Sequence, residues 1–280
     1  MTPIDFPGLA LHFQIERVAF SVLGLDVYWY GLIIGIGFFI ALMIAFDEAK
    51  RVELSTDDLT DVILWATPVS IVCARLYYVV FQWDLYRNDL WQIFAIRDGG
   101  IAIYGAVIGA FVTSFLVARH KKLPILRIFD IGGLAFLLAQ AIGRWGNFVN
   151  QEAYGGTTSL PWRMQLTMKD GSLQAVHPTF FYESIWNFFG FLMLWALRRW
   201  AFKPTEQKQG TFKKGLQHDG GTFFLYVIWY GLGRAWIEGL RQDSLYLGSL
   251  RISQLLALFS VAFSAIFLLH LCKMSKIGKK

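Results

Sequence analysis

The chain is 280 residues long, 55% of them hydrophobic and only 16% charged, with a formal net charge of +6. A soluble globular domain holds nearer ~25% charged residues, so composition excludes an ordinary soluble domain and points to an integral membrane protein. Two cysteines, Cys73 and Cys272, are too few for a disulfide framework or a metal site.

The first 26 residues lack the basic start and small-residue cleavage site of a signal peptide, so the first apolar segment is expected to be retained. Within them, residues 6–20 (FPGLALHFQIERVAF) read as a partly amphipathic segment lying in the outer interface. Seven apolar segments follow, each roughly long enough for the ~20 residues a span requires: 27–47, 58–82, 100–119, 128–143, 178–199, 221–240 and 248–272. The fourth is the shortest and runs on into GRWGNFVNQEAYG, residues 143–155. Between the fourth and fifth, Trp162, Met164, Leu166 and Met168 alternate with Arg163, Gln165, Thr167 and Lys169 before Asp170-Gly171, which predicts a small β-hairpin. The expected fold is therefore all-α, a single integral membrane domain over 1–280 with seven transmembrane helices. An outer-face head segment, 153–177, is inserted between helices four and five. No internal repeat is visible.

Lys and Arg in the connections set the orientation. They cluster after the odd-numbered segments, at Lys50 and Arg51, at Arg119, Lys121, Lys122 and Arg127, at Arg198, Arg199, Lys203, Lys208, Lys213 and Lys214, and at Lys273, Lys276, Lys279 and Lys280. The amino terminus is thus expected outside and the carboxyl terminus in the cytoplasm, with the positive charge facing lipid rather than nucleic acid. The two cysteines then fall near opposite sides of the membrane, out of disulfide reach.

On this topology the polar residues within the apolar segments gather at one depth, the outer leaflet. They are Tyr30 in VYWYG, Arg75, Tyr104 in DGGIAIYG, and Arg144, Asn147, Asn150 and Glu152 after the fourth segment. His177, Tyr182 and Glu183 follow in HPTFFYE, and Tyr230, Arg234, Glu238 and Arg241 form one stripe of the sixth segment. Each has a plainer reading: Tyr28 and Trp29 as interfacial aromatics, Arg75 as a helix-pairing arginine, Arg234 and Glu238 as a structural i, i+4 pair, His177 as a helix-entry residue. Gly99, Gly100, Gly105 and Gly109 can simply permit close helix approach. Ionisable groups inside a membrane are functional by default, however. Arg144 and Arg234, on different segments, present planar, permanently charged forks suited to phosphate. With Glu152 and Glu238 to orient them, they describe a phosphate cradle open to lipid, in which Arg144 faces a phosphate rather than a protein charge.

GRWGNFVNQEAYG resembles the signature of the prolipoprotein diacylglyceryl transferases, G-R-x-G-N-F-x-N-x-E-x-x-G, with Gly143, Arg144, Gly146, Asn147, Phe148, Asn150, Glu152 and Gly155 in register. The resemblance extends through VYWYG, ARLYYV around Arg75, DGGIAIYG, HPTFFYE and YGLGRAWIEGLR, in the family's order. It implies seven helices, an outside amino terminus and an outer head segment, in a multi-pass protein of the bacterial cytoplasmic membrane with its active site facing the outer leaflet. The implied activity moves a diacylglyceryl group from phosphatidylglycerol to the lipobox cysteine thiol of a prolipoprotein, forming a thioether and releasing glycerol phosphate. The implied partners are therefore phosphatidylglycerol, the lipobox peptide and the membrane, with no nucleic acid and no metal or organic cofactor.

The resemblance makes Arg144 and Arg234 the essential arginines, supported by Tyr30, Asn147, Glu152, Gly155 and Glu238. Many members carry a histidine, cast as the thiol base, where this chain has Tyr104; a tyrosine at this position resembles members from Gram-positive bacteria. A tyrosine with pKa ~10 is a poor base at neutral pH, so either a nearby arginine depresses Tyr104 or no dedicated base is required there. The second is favoured, with Tyr104 expected to hydrogen-bond substrate while Glu152 or the departing phosphate accepts the proton. The expected catalytic set is Arg144, Arg234, Tyr104 and Glu152. The expected substrate-binding set is Tyr30, Arg75, Asn147, Asn150, Gly155, His177, Tyr230, Glu238 and Arg241. A transporter or flippase of an anionic phospholipid would use the same arginines, but such proteins tend to show repeats and midplane polar sites. A structural scaffold explains the helices and not the converging arginines.

Overall fold

The computed structural model describes residues 2–96, 99–168, 170–203, 210–242, 246–247 and 250–277. The chain falls into two compact units, one from residues 1–45 and 129–280 and the other from 46–128. The long helices are α1 (Trp29–Arg51), α2 (Thr56–Phe81), α4 (Ile103–His120), α5 (Ile125–Asn150), α6 (Thr179–Phe202), α8 (Gly221–Glu238) and α9 (Ile252–Ile277), with short α3 (Trp83–Tyr86) and α7 (Thr211–Gln217) between them. Among the described residues, six are long and apolar enough to cross a membrane: α1, α2, α4, α5, α6 and the Ile252–Met274 part of α9. The predicted sixth segment is present as α8 but is not among these six. Arg234 and Glu238, with its glycines and tyrosines, lower its hydropathy.

The fourth segment, expected to be the shortest, is instead as long as any helix here. α5 continues through Arg144 and Asn147 to Asn150. A hydropathy window stops at Arg144, whereas the helix goes on because its polar residues, three apart, share a face.

The expectation of an all-α fold needs amending in the first unit. Strands β1 (Thr2–Phe6), β2 (Leu11–Ile15), β5 (Met164–Thr167) and β6 (Leu173–Val176) form an antiparallel sheet in the order β2-β1-β5-β6. Within residues 6–20 the chain forms strands rather than one continuous segment: β1 and β2 pair with each other, and β1 pairs with β5 far along the chain. The β5–β6 hairpin follows the expected alternation, with Met164 and Leu166 buried, although Trp162 is exposed and Lys169 lies outside the described residues. Gly171 supplies a φ of 80° in its turn. Asp170 accepts from Ser172 N and Oγ at 3.0 and 2.6 Å, and these bonds hold its carboxyl below the ordinary range. One face of the sheet, through Ile4, Met164, Leu166 and Val176, packs on Phe148 and Val149 of α5 and Phe180 of α6. It thereby braces the two helix ends that carry the polar cluster. Strands β3 (Val18–Val22) and β4 (Leu25–Tyr28) form a separate hairpin that feeds directly into α1.

In the second unit α2 and α4 pack antiparallel. A Cβ on Gly105 would lie 2.4 Å from the Cys73 carbonyl oxygen, and one on Gly109 2.8 Å from Cys73 Cβ. These two glycines permit close helix approach. Gly99 and Gly100 do not share that role: with φ of 90° and 73° they form a left-handed turn. Near the other end of the pair, Lys121 bridges Asp58, at 2.7 Å, and Asp61, and those hydrogen bonds hold its amine above the ordinary lysine value.

Candidate functional site

In the first unit the polar cluster is assembled from the end of α5, the loop after it, and the facing ends of α6 and α8. α5 closes with a Schellman turn, in which Gln151 N bonds to Phe148 O and Glu152 N to Asn147 O, both at 3.1 Å. Gln151 and Ala153 both adopt left-handed φ, 55° and 57°, at a cost on the order of 1–3 kcal/mol each for non-glycine residues. The strain flanks Glu152 and turns its carboxylate back over the helix end. There Glu152 Oε1 accepts from Asn147 Nδ2 at 3.0 Å and Asn150 Nδ2 at 3.4 Å, while Asn147 Oδ1 accepts from Arg144 Nη1 at 3.1 Å. Glu152 therefore orients Arg144 through Asn147 rather than directly. Arg17 joins from before the β3–β4 hairpin, donating to the Asn150 carbonyl at 3.1 Å.

The hub of the cluster is Glu183, which the expected site sets did not include. Its side chain is only 5% exposed and pairs with Arg144 Nη2 at 2.5 Å, Arg234 Nη1 at 3.3 Å and Arg241 Nη1 at 3.6 Å. Arg234 also pairs with Glu238 at 2.6 Å, as the i, i+4 spacing predicts. Arg144 thus does face a protein charge, contrary to expectation. The carboxylates are nonetheless sealed while the Arg144 and Arg234 side chains remain 22% and 20% exposed. Each guanidinium is held by a buried carboxylate, and each arginine side chain stays partly exposed. Glu183 sits one residue before Ser184, whose hydroxyl accepts from Trp145 Nε1 at 3.1 Å and donates to Ala141 O at 2.8 Å, tying α6 to α5 beside the ion pairs.

Two glycines of the motif have steric reasons. A Cβ on Gly146 would lie 2.7 Å from the Tyr30 ring, so its absence lets that ring lie across α5, near the charges of Glu152 and Arg144. A Cβ on Gly155 would meet His177 Cβ at 2.7 Å and Leu240 O at 2.9 Å. The 155–156 backbone there is stitched to both neighbours: Gly155 N donates to His177 O at 2.9 Å and Gly156 N to Leu240 O at 2.7 Å. Gly155 and Arg241 form a β-bridge, which brings Arg241 beside the motif loop. His177 Nδ1 lies 3.3 Å from Tyr182 Oη, and burial lowers its pKa below the ordinary histidine value. Tyr230, one helical turn before Arg234, stacks on Tyr226.

Arg75 and Tyr104 belong to the second unit. The Arg75 side chain is buried, and its donors reach five backbone carbonyls: Nε to Ile93, Nη1 to Gly99 and Gly100, Nη2 to Gln92 and Ala95, at 2.5–3.3 Å. A guanidinium has five N–H donors, so none remains for a phosphate, and Arg75 instead shapes the loop that carries Gly99 and Gly100. Tyr104, in the first turn of α4, is exposed and lies against Tyr77, with ring centroids 6.3 Å apart.

The prolipoprotein diacylglyceryl transferase family profile matches residues 17–270. A phosphatidylglycerol–prolipoprotein diacylglyceryl transferase of Clostridioides difficile (strain 630) is 42% identical over 262 residues, covering 94% of this chain and 98% of that one. Proteins of the same name from Finegoldia magna, 43% identical over 244 residues, and Bacillus cereus (strain ATCC 14579), 41% over 274, cover 87% and 95% of this chain and 91% and 96% of their own lengths.

Proposed function

The chain belongs to the prolipoprotein diacylglyceryl transferase family, and from that premise we propose that it transfers a diacylglyceryl group from phosphatidylglycerol to the lipobox cysteine thiol of prolipoproteins. The cysteine sulfur attacks the glycerol carbon that bears the phosphate ester. A C–S bond forms, the C–O bond to phosphate breaks with its electron pair on oxygen, and glycerol phosphate leaves. Arg144 and Arg234 stabilise the charge that departs with the phosphoryl oxygens. In a low-dielectric site such preorganised donors contribute ~3–4 kcal/mol each. Glu183 and Glu238 hold the two guanidiniums in place, and Asn147 links Glu152 to Arg144. The thiol proton passes to Glu152 or to the departing phosphate, with no dedicated base at Tyr104.

The observation that carries this reading is the sharing of one buried carboxylate, Glu183, by arginines from α5 and α8 that both remain partly exposed. All seven long helices cross the bacterial cytoplasmic membrane in this reading, with α8 as the span whose hydropathy is reduced by the site it carries. The clustered lysines and arginines support an orientation with the amino terminus outside and the site in the outer leaflet. The test is release of glycerol phosphate from phosphatidylglycerol by the purified protein. Release is expected with a lipobox peptide and not with its cysteine-to-serine counterpart. A folded protein that binds phosphatidylglycerol and releases none would point to lipid transport instead.

A further inference from the structure

Helices α6 and α8 each contain a tryptophan four residues before a glycine: Trp186 and Gly190 in WNFFG, Trp229 and Gly233 in WYGLG. The two pairs interlock. A Cβ on Gly190 would lie 2.2 Å from Trp229 Nε1, and one on Gly233 2.2 Å from Trp186 Nε1, so each indole occupies the space the other helix leaves at its glycine. The rings stack with centroids 4.5 Å apart at 20°. Each indole N–H donates to the main-chain carbonyl of the other tryptophan, both at 3.0 Å. The result is a reciprocal, locally twofold clasp between antiparallel helices.

We propose that the Trp186–Trp229 clasp is a positioning device for the two-arginine site, setting the register at which Glu183 of α6 meets Arg234 of α8. Glu183 precedes Trp186 by three residues, and Arg234 directly follows the glycine that seats Trp186. In lipid no hydrophobic force orders one helix against another, so small-residue contacts and hydrogen bonds set register. A slip of one helical turn, ~5.4 Å, would lift both indoles off their glycines, break both N–H bonds and carry Arg234 out of reach of Glu183. Tyr182 stacked on Trp236, at 6.2 Å and 27°, extends the same register to the end of the helix pair. Trp186 and Trp229 touch no reacting group; they act through Glu183 and Arg234.

This inference rests on the transferase reading, and its test separates the two. Trp186→Phe and Trp229→Phe keep an aromatic ring and remove the donor. Each is expected to lower kcat for lipobox peptide modification by about tenfold, equivalent to ~1.4 kcal/mol, with KM for phosphatidylglycerol little changed. In an Arg234→Lys background, where the guanidinium fork is already lost, Trp229→Phe is expected to add little, because residues acting through one network are non-additive. Should the phenylalanine variants fail to accumulate, benzothienylalanine at position 186 or 229 preserves the indole shape without its N–H and is expected to show the same fall in kcat. Unchanged kcat in the donor-less variants, or full additivity with Arg234→Lys, overturns the clasp as a positioning device while leaving the transferase reading intact. A wild-type protein without transfer activity fails the transferase reading instead.

Discussion

At the scale of single residues the site is organised by a carboxylate. Glu183 is sealed from solvent among three guanidiniums, so replacing it by glutamine leaves arginine charges repelling one another at the end of α6. Removing one partner of a buried ion pair costs ~3–5 kcal/mol. Glu183→Gln is expected to lower the melting temperature in detergent and to cut turnover by at least about tenfold; wild-type values in both would remove Glu183 from the site. Tyr104 is the opposite case. If it only hydrogen-bonds, Tyr104→Phe forfeits ~0.5–1.5 kcal/mol, and lipidation measured by peptide mass is expected to persist at a reduced rate. Abolition in a folded variant would restore a base at that position. Arg144, Asn147, Glu152, Arg234 and Glu238 were legible from motif and helical spacing, and the structure joins them in one cluster. Glu183 was not, since its partners lie on α5 and α8 and no local pattern in HPTFFYE marks the glutamate as their meeting point. Arg75 was expected to bind substrate or to pair helices, because sequence shows its charge and not the five carbonyls that its donors reach.

At the scale of elements, the decisive feature is how the end of α5 is turned. The helix runs on through polar residues to Asn150, closes in a Schellman turn, and passes through two strained residues to reach Gly155, where the loop is stitched to the entry of α6 and the exit of α8. A methyl at Gly155 meets His177 Cβ and a backbone carbonyl at under 3 Å, and overpacking of this kind costs ~1–3 kcal/mol. Gly155→Ala is expected to displace the loop bearing Glu152 and to lower turnover more than it lowers the fraction of folded protein, as seen by comparing kcat with a thermal melt. Equal loss of both would make Gly155 a packing residue only. The β5–β6 hairpin was readable from period-two alternation and an Asp-Gly turn. β1 was not, because Ile4 pairs with Leu166 across most of the chain, and pairing that distant leaves no trace in a local window.

At the scale of the whole molecule, composition and the placement of lysines and arginines imply a polytopic membrane protein, and among the described residues six helices meet the length and hydropathy for a span. α8 falls below that threshold for the reason that makes it informative: it carries Arg234 and Glu238. The central claim is that two arginines, delivered by α5 and α8 to one buried carboxylate, stabilise the phosphate that leaves phosphatidylglycerol. The most direct test is the intact mass of a lipobox peptide incubated with phosphatidylglycerol and the wild-type, Arg144→Ala or Arg234→Ala protein. The expected result is a diacylglyceryl mass gain with wild type and a loss of ~10²–10³-fold or more in rate with each folded, membrane-inserted variant. Turnover near the wild-type rate by either variant would contradict the claim.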